Sequence, residues 1–225
     1  MYQLDVNTAK KADNISQYIN ETGKYIGQFT RAEKLISSNK GTHGIGFSFK
    51  SNTGQETRFD IWTQKGNGED LQGMSQIHAM MACLQLRSLK EANMRVKKWD
   101  STQNREDIMD AVCLPDLMNK PIGLLLRSEE YEKMRDGEFT GETGWRMGLF
   151  ACFQVSTDLM ASEILDKKTT PEQLEKVSKM LSDRPLKKTS VKAALVRSLS
   201  SGGPMSDFDD DIPFAQHLSG KAWAV

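Results

Sequence analysis

Between positions 24 and 65 the sequence interleaves cations with rings. Lys24, Arg31, Lys34, Lys40, Lys50, Arg58 and Lys65 stand against only Glu33, Glu56 and Asp60, a balance of +4, and Tyr25, Phe29, Phe47, Phe49, Phe59 and Trp62 supply aromatic faces. Cations track a phosphate backbone, and rings stack bases for about 1–3 kcal/mol each, so this mixture has the chemistry of sequence-tolerant binding to a single strand. Trp62 shares strand parity with Arg58 and Asp60, opposite Phe59 and Ile61, which marks it as an exposed platform. Tyr25 beside Lys24 is a similar candidate. Phe47 and Phe49 share parity with Ile45 and admit two readings, a core stripe or stacking rings. Further along, Arg146 and Phe150 lie opposite the apolar parity of their strand and extend the same surface.

Other chemistries find little support. There is no G-x-S-x-G or H-E-x-x-H, and "GTHGIG" lacks both the Lys-Ser/Thr of a phosphate loop and the G-x-G-x-x-G spacing. Its glycines fit a bent strand or a close backbone approach. Cys83, Cys113 and Cys152 are far apart, as are His43, His78 and His217, so no zinc spacing arises and the thiols read as core residues. Asp60 is expected to pair with Arg58 or Lys65. No catalytic residue, metal or cofactor is expected, and the chain is read as a non-enzyme.

The elements that must position these residues follow from periodicity. "GKYIGQFTRAEKLIS" reads as a strand, and "HGIGFSFKSNTGQETRFDIWTQ" as a hairpin around the turn "SNTGQ", giving a three-stranded meander. Ile77, Met80, Met81, Leu84 and Leu89 recur at helical spacing and predict a helix over about 71–89. "REDIMDAVCLPDLMNKP" reads as a short helix ended by Pro115 or Pro121. "PIGLLLRSEEYEKM" resumes a strand with Ile122, Leu124 and Leu126 on one face. In "GWRMGLFACFQVS", Trp145, Met147, Leu149, Phe153 and Val155 share one parity. Three strands, a helix and two more strands is the order of the five-stranded OB-fold barrel, so the fold class expected is mainly β with a helical insert (α+β). "TTPEQLEKVSKML" predicts one more helix, with Thr170 as N-cap and Pro171 at the first position.

The C-terminal stretch has a character of its own. Residues 161–204 carry nine basic against five acidic side chains, and residues 205–225 one against four. After the break "SSGGP" comes "DFDDDIPF": Asp207, Phe208, Asp209, Asp210 and Asp211, then Ile212, Pro213 and Phe214. A solvated acidic end needs no bulky ring after its charges. A docking peptide does, with aspartates steering to a basic patch and Phe214 filling a pocket.

"DFDDDIPF" resembles the acidic tip of bacterial single-stranded DNA-binding proteins, which recruits replication and repair enzymes. Over roughly residues 20–165 the chain is similar to the single-stranded DNA-binding proteins of tailed bacteriophages, on "GKYIGQFTRAEKLIS", "HGIGFSFK" and the late strand ending in "STDLMASEIL". The resemblance implies a non-catalytic protein that coats single strands in phage replication or recombination. It also implies recruitment of partner proteins through residues 207–214. In the bacterial tip the phenylalanine is terminal; here Ala215–Val225 follow, with Trp223 as a second anchor.

The division expected is a polar segment over 1–22, a DNA-binding domain over 23–165, a basic helix and flexible linker over 166–206, and an acidic tail over 207–225. A tail that competes with DNA for the basic surface predicts that deleting 205–225 tightens DNA binding at low salt. No apolar run nears the roughly 18 residues that span a bilayer, and "MYQLDVNTAKKADN" does not read as a signal peptide, so no membrane partner and a cytoplasmic location are expected. Self-association is left open. Two other readings predict different behaviour: a strand-annealing mediator accelerates pairing of complementary strands, and a protein adaptor has no DNA affinity.

Overall fold

The computed structural model describes residues 16–38, 40–100, 105–135 and 138–186. The linker beyond 186 and the acidic tip at 207–214 lie outside the described residues. Among the described residues, seven strands form one antiparallel sheet with three short helices around it: β1 (Gly23–Ile36), β2 (His43–Ser51), β3 (Glu56–Gln64), α1 (Gln72–Cys83), β4 (Ala92–Asp100), β5 (Arg105–Cys113), β6 (Pro121–Arg135), β7 (Glu138–Phe153), α2 (Ala161–Leu165) and α3 (Gln173–Lys179). The fold is thus mainly β with few helices. No described helix is long and apolar enough to cross a membrane.

The meander β1–β2–β3 forms as its alternation predicts. Phe47 and Phe49 are 1% exposed and pack with Phe29 and Phe59, Phe29–Phe47 centroids lying 4.6 Å apart and Phe47–Phe59 centroids 5.5 Å. β1 carries a bulge at Thr30, where the register passes from Phe29↔Phe49 to Arg31↔Ser48. The extra residue reverses the parity of the strand. Phe29 and Ala32 therefore both face the core, and Arg31, Glu33 and Leu35 turn outward. The first half of β1 pairs with β6 (Gly23↔Leu126 to Gln28↔Pro121), while its second half meets β5 at Glu33↔Cys113.

Two expectations about helices need correction. α1 stops at Cys83, well short of 89, because Gln85 takes a φ of 57° and Leu86 N–H returns to Met81 O at 2.8 Å. Leu84, Leu86 and Leu89 then pack on the core from non-helical backbone. The stretch 105–113 is the strand β5, not a helix, and only Pro115–Leu117 makes a helical turn. Met109, Ala111 and Cys113 point inward and Ile108, Asp110 and Val112 outward, a period of two. Pairing with the unanticipated β4, from Ala92↔Cys113 to Asp100↔Arg105, overrides the helical propensity of "REDIMDA".

β6 is buried on both faces. Ile122, Leu124 and Leu126 enter the main core, as expected, and Leu125 joins a second cluster with Phe153, Leu174 and Val177. A bulge at Phe150 (Leu126↔Leu149, then Leu125↔Ala151) separates Met147 and Leu149 from Phe153, which share parity in sequence but not a side. Trp145 is 54% exposed and Val155 lies past the strand's end. α3 covers the second cluster and begins at Gln173, not at Pro171. Thr170 does not cap it. The buried Glu163 carboxylate accepts from Glu172 N–H and Gln173 N–H at 2.7 and 2.9 Å and from Met160 N–H at 2.9 Å, joining the starts of α2 and α3. Burial pushes this carboxyl up, but the three N–H bonds outweigh it and hold it below its ordinary range. The chain continues to Leu186 as part of the same compact unit, and Arg184 bridges to Glu129 parallel to β6.

Candidate nucleic-acid interface

The outward face of β1–β2–β3 is ordered by register into rows. Arg31 faces Ser48, which faces Arg58; Glu33 faces Gly46, which faces Asp60; Leu35 faces Gly44, which faces Trp62. Cross-strand partners share a face, so each row is a line of side chains across three strands. The two glycines let the outer side chains close over the middle strand. A Cβ on Gly44 would lie 2.8 Å from Trp62 Cε3, and one on Gly46 would lie 3.1 Å from Asp60 Oδ1.

The β4–β5 hairpin walls this face. Glu33, 5% exposed, is ion-paired with Lys98, and Arg31 Nη1 donates to Lys97 O at 3.0 Å. Arg31 Nε–H is buried without a hydrogen-bond partner among the described residues, the Glu33 carboxylate standing 3.8 Å away. A groove of about 850 Å³ results, lined by Thr30 and Arg31, Ser48, Thr57 and Arg58, and by Met94 to Lys97 of β4. Among the described residues, its cationic lining is Arg31, Arg58, Arg95 and Lys97, and its acidic lining is Glu56, paired with Lys50 at 3.0 Å. Tyr18, 69% exposed, also lines it.

Asp60 stands beside this groove. Burial pushes its carboxyl up; Arg146 of β7 and Arg31 pull it down, Glu33 adds to the rise, and the net displacement is upward. β7 thus brings Arg146 to the same charged neighbourhood, and the Arg146 guanidinium also lies 5.5 Å from the Tyr131 ring.

Of the candidates from sequence, Arg31, Arg58, Trp62 and Arg146 come together on or beside this surface. Phe47 and Phe49 do not: both are core residues with no face open to a base. Lys24 pairs with Asp158 at 3.1 Å and lies over the Phe153 ring. Tyr25 is half-buried, its hydroxyl donating to Glu21 O at 2.9 Å, and burial pushes the phenol up. Lys34 pairs with Glu91 at 2.7 Å and Lys65 with Glu69 at 3.1 Å. Lys40 is exposed in the β1–β2 turn. The cations that act on the Asp60 carboxylate, expected to be Arg58 or Lys65, are Arg146 and Arg31, and Lys65 pairs with Glu69. Arg95 and Lys97 were missed, although "NMRVK" carries the signal: Met94 and Val96 alternate with them inward.

Cys83 and Cys152 are buried neighbours with sulfurs 3.8 Å apart, and Cys113 is buried too, as core thiols should be. No family model matches this sequence, and no curated protein matches it.

Proposed function

We propose that this chain is a non-catalytic binder of single-stranded DNA that holds the strand along the groove between β4 and the outward face of β1–β3. The observation that carries the reading is the groove's lining: Arg31, Arg58, Arg95 and Lys97 against a Glu56 already neutralised by Lys50. Phosphates bring counterion release to such a surface, and Trp62 and Tyr18 offer rings for stacking. Hydroxyls of Thr30 and Ser48 add hydrogen-bonding groups between the cations.

The strand order favours an OB-type barrel as the scaffold. β1, β2, β3, α1, β6 and β7 supply the five strands and the helix of that layout, with β1 paired to both β2 and β6, and the β4–β5 hairpin is an insertion before the fourth strand. β3 lies beside β7, where such a barrel closes. The role in phage replication or recombination, and recruitment of partners through residues 207–214, follow from the resemblance of the sequence. The test is titration of a labelled oligo-dT and of a duplex of equal length at two salt concentrations. Salt-weakened binding to the single strand supports the reading; equal affinity for both, or none at low salt, overturns it.

A further inference from the structure

Two ribbons of the sheet carry exposed apolar faces of opposite charge. On β6–β7, Glu130 faces Trp145, Glu132 faces Thr143 and Met134 faces Phe139. This face continues the one that buries Leu126, Met147 and Leu149, yet Met134, Phe139 and Trp145 are 57%, 56% and 54% exposed. Large side chains in a row at that exposure are the mark of a surface made to be covered, and a two-stranded ribbon on its own is only marginally stable in water. On β4–β5, Lys97 faces Ile108, Arg95 faces Asp110 and Asn93 faces Val112. Ile108 and Val112 are 51% and 37% exposed there.

We propose that the acidic, apolar face of β6–β7 docks on the basic, apolar outer face of β4–β5 in a second copy of this chain, head to tail. Charge selects this occupant. Glu132 flanks Trp145 together with Glu130, whose Oε2 accepts from Leu186 N–H at 3.0 Å, and the acidic face suits protein and not a nucleic acid strand. Pairing two β6–β7 faces with each other would set those carboxylates against their own copies. The β4–β5 face instead offers Arg95 and Lys97, with Asp110 opposite Arg95, around two aliphatic side chains, a charge that is positive on balance. A contact between two different faces leaves one of each open at the ends, so the assembly grows as a chain and does not close as a dimer. Arg95 and Lys97 also line the groove, so the contact is tested in the absence of DNA, where its failure says nothing about strand binding.

The experiment is sedimentation velocity of the full chain over a wide concentration range. The expected result is a weight-average sedimentation coefficient that climbs with concentration past that of a dimer. Trp145→Glu and Ile108→Glu, both at exposed positions, should each be monomeric alone. Mixed in equal amounts they should form a dimer that stops growing, because each keeps the face the other lacks. Phe139→Glu with Val112→Glu repeats the test should either first variant lose its circular-dichroism melting transition. A wild-type protein that stays monomeric overturns the proposal, as does a closed dimer whose mixed variants remain monomers. So does a Trp145→Glu protein that associates like the wild type but loses oligo-dT binding, which would make the ribbon a nucleic-acid surface.

Discussion

Arg31 on β1 donates from Nη1 to the main-chain oxygen of Lys97 on β4, 3.0 Å away, and so joins the floor of the groove to its wall. The same guanidinium keeps a buried Nε–H without a hydrogen-bond partner among the described residues, set beside Arg58 across Ser48. If a phosphate enters here, each cation lost removes one neutralised charge. Arg58→Ala should therefore weaken oligo-dT binding alike for different sequences and reduce the slope of log affinity against log salt by about 0.7. Arg31→Ala should do the same and also loosen the wall, read as faster amide exchange in β4. Anisotropy titrations over a salt series check both; an unchanged slope in Arg58→Ala places the strand elsewhere.

Arg146 and Arg31 both attract the Asp60 carboxylate, so under the proposed function its charged form should oppose strand binding. Its folded-state pKa is raised, so the native protein holds the proton more readily than the unfolded chain does. The stability this gives is present at pH below the unfolded value and is lost as pH rises through the folded one. Protonation also removes the carboxylate's attraction on the two arginines. Oligo-dT affinity should rise as the pH falls from neutral towards the Asp60 range, and Asp60→Asn should bind about two- to fivefold tighter at neutral pH, the worth of a surface charge interaction of up to about 1 kcal/mol. The variant should lose that part of the pH dependence; a variant with wild-type affinity and pH profile contradicts the role.

Trp62 and Phe47 should separate cleanly. Trp62 is 39% exposed on the outward face, so Trp62→Ala should cost about 5- to 150-fold in oligo-dT affinity, one stacked base, with little change in melting temperature. Phe47 is 1% exposed, so Phe47→Leu should cost about 1–3 kcal/mol of stability in urea unfolding and leave the affinity of the folded protein unchanged. The reverse pattern would exchange their roles.

These two rings show how far the sequence could be read. The outward placement of Trp62 and Arg58 was legible because a ring and a cation share strand parity against Phe59 and Ile61. Phe47 was ambiguous because alternation gives two faces without saying which is inside; the answer lies in Phe29 and Phe59, brought over it by other strands. The β4–β5 ribbon was hidden for a different reason. "REDIMDAV" has good helix formers, and its strand character depends on pairing with Ala92–Asp100. The paired state of Lys34 and Lys65 was likewise out of reach, since charge counts do not locate Glu91 or identify Glu69 as the partner.

Glu163 gives a prediction about stability alone. Its carboxylate is 1% exposed and accepts three main-chain N–H bonds. A carboxyl held below its ordinary range stabilises the fold fully above its unfolded pKa, about 4.3, and this contribution is lost as pH falls through the folded value. Glu163→Gln should destabilise the protein by about 1–3 kcal/mol at neutral pH, with the difference from wild type shrinking in acid. Urea unfolding at several pH values checks this; a difference that grows on acidification contradicts it.

The most direct measurement of the central claim is anisotropy of a labelled oligo-dT against duplex of the same length, titrated with the full chain at low and at physiological salt. Binding confined to the single strand and weakened by salt, with the loss reduced in Arg58→Ala, is the predicted result. Absence of binding at low salt, or equal binding to duplex, would contradict the assignment of the groove to single-stranded DNA.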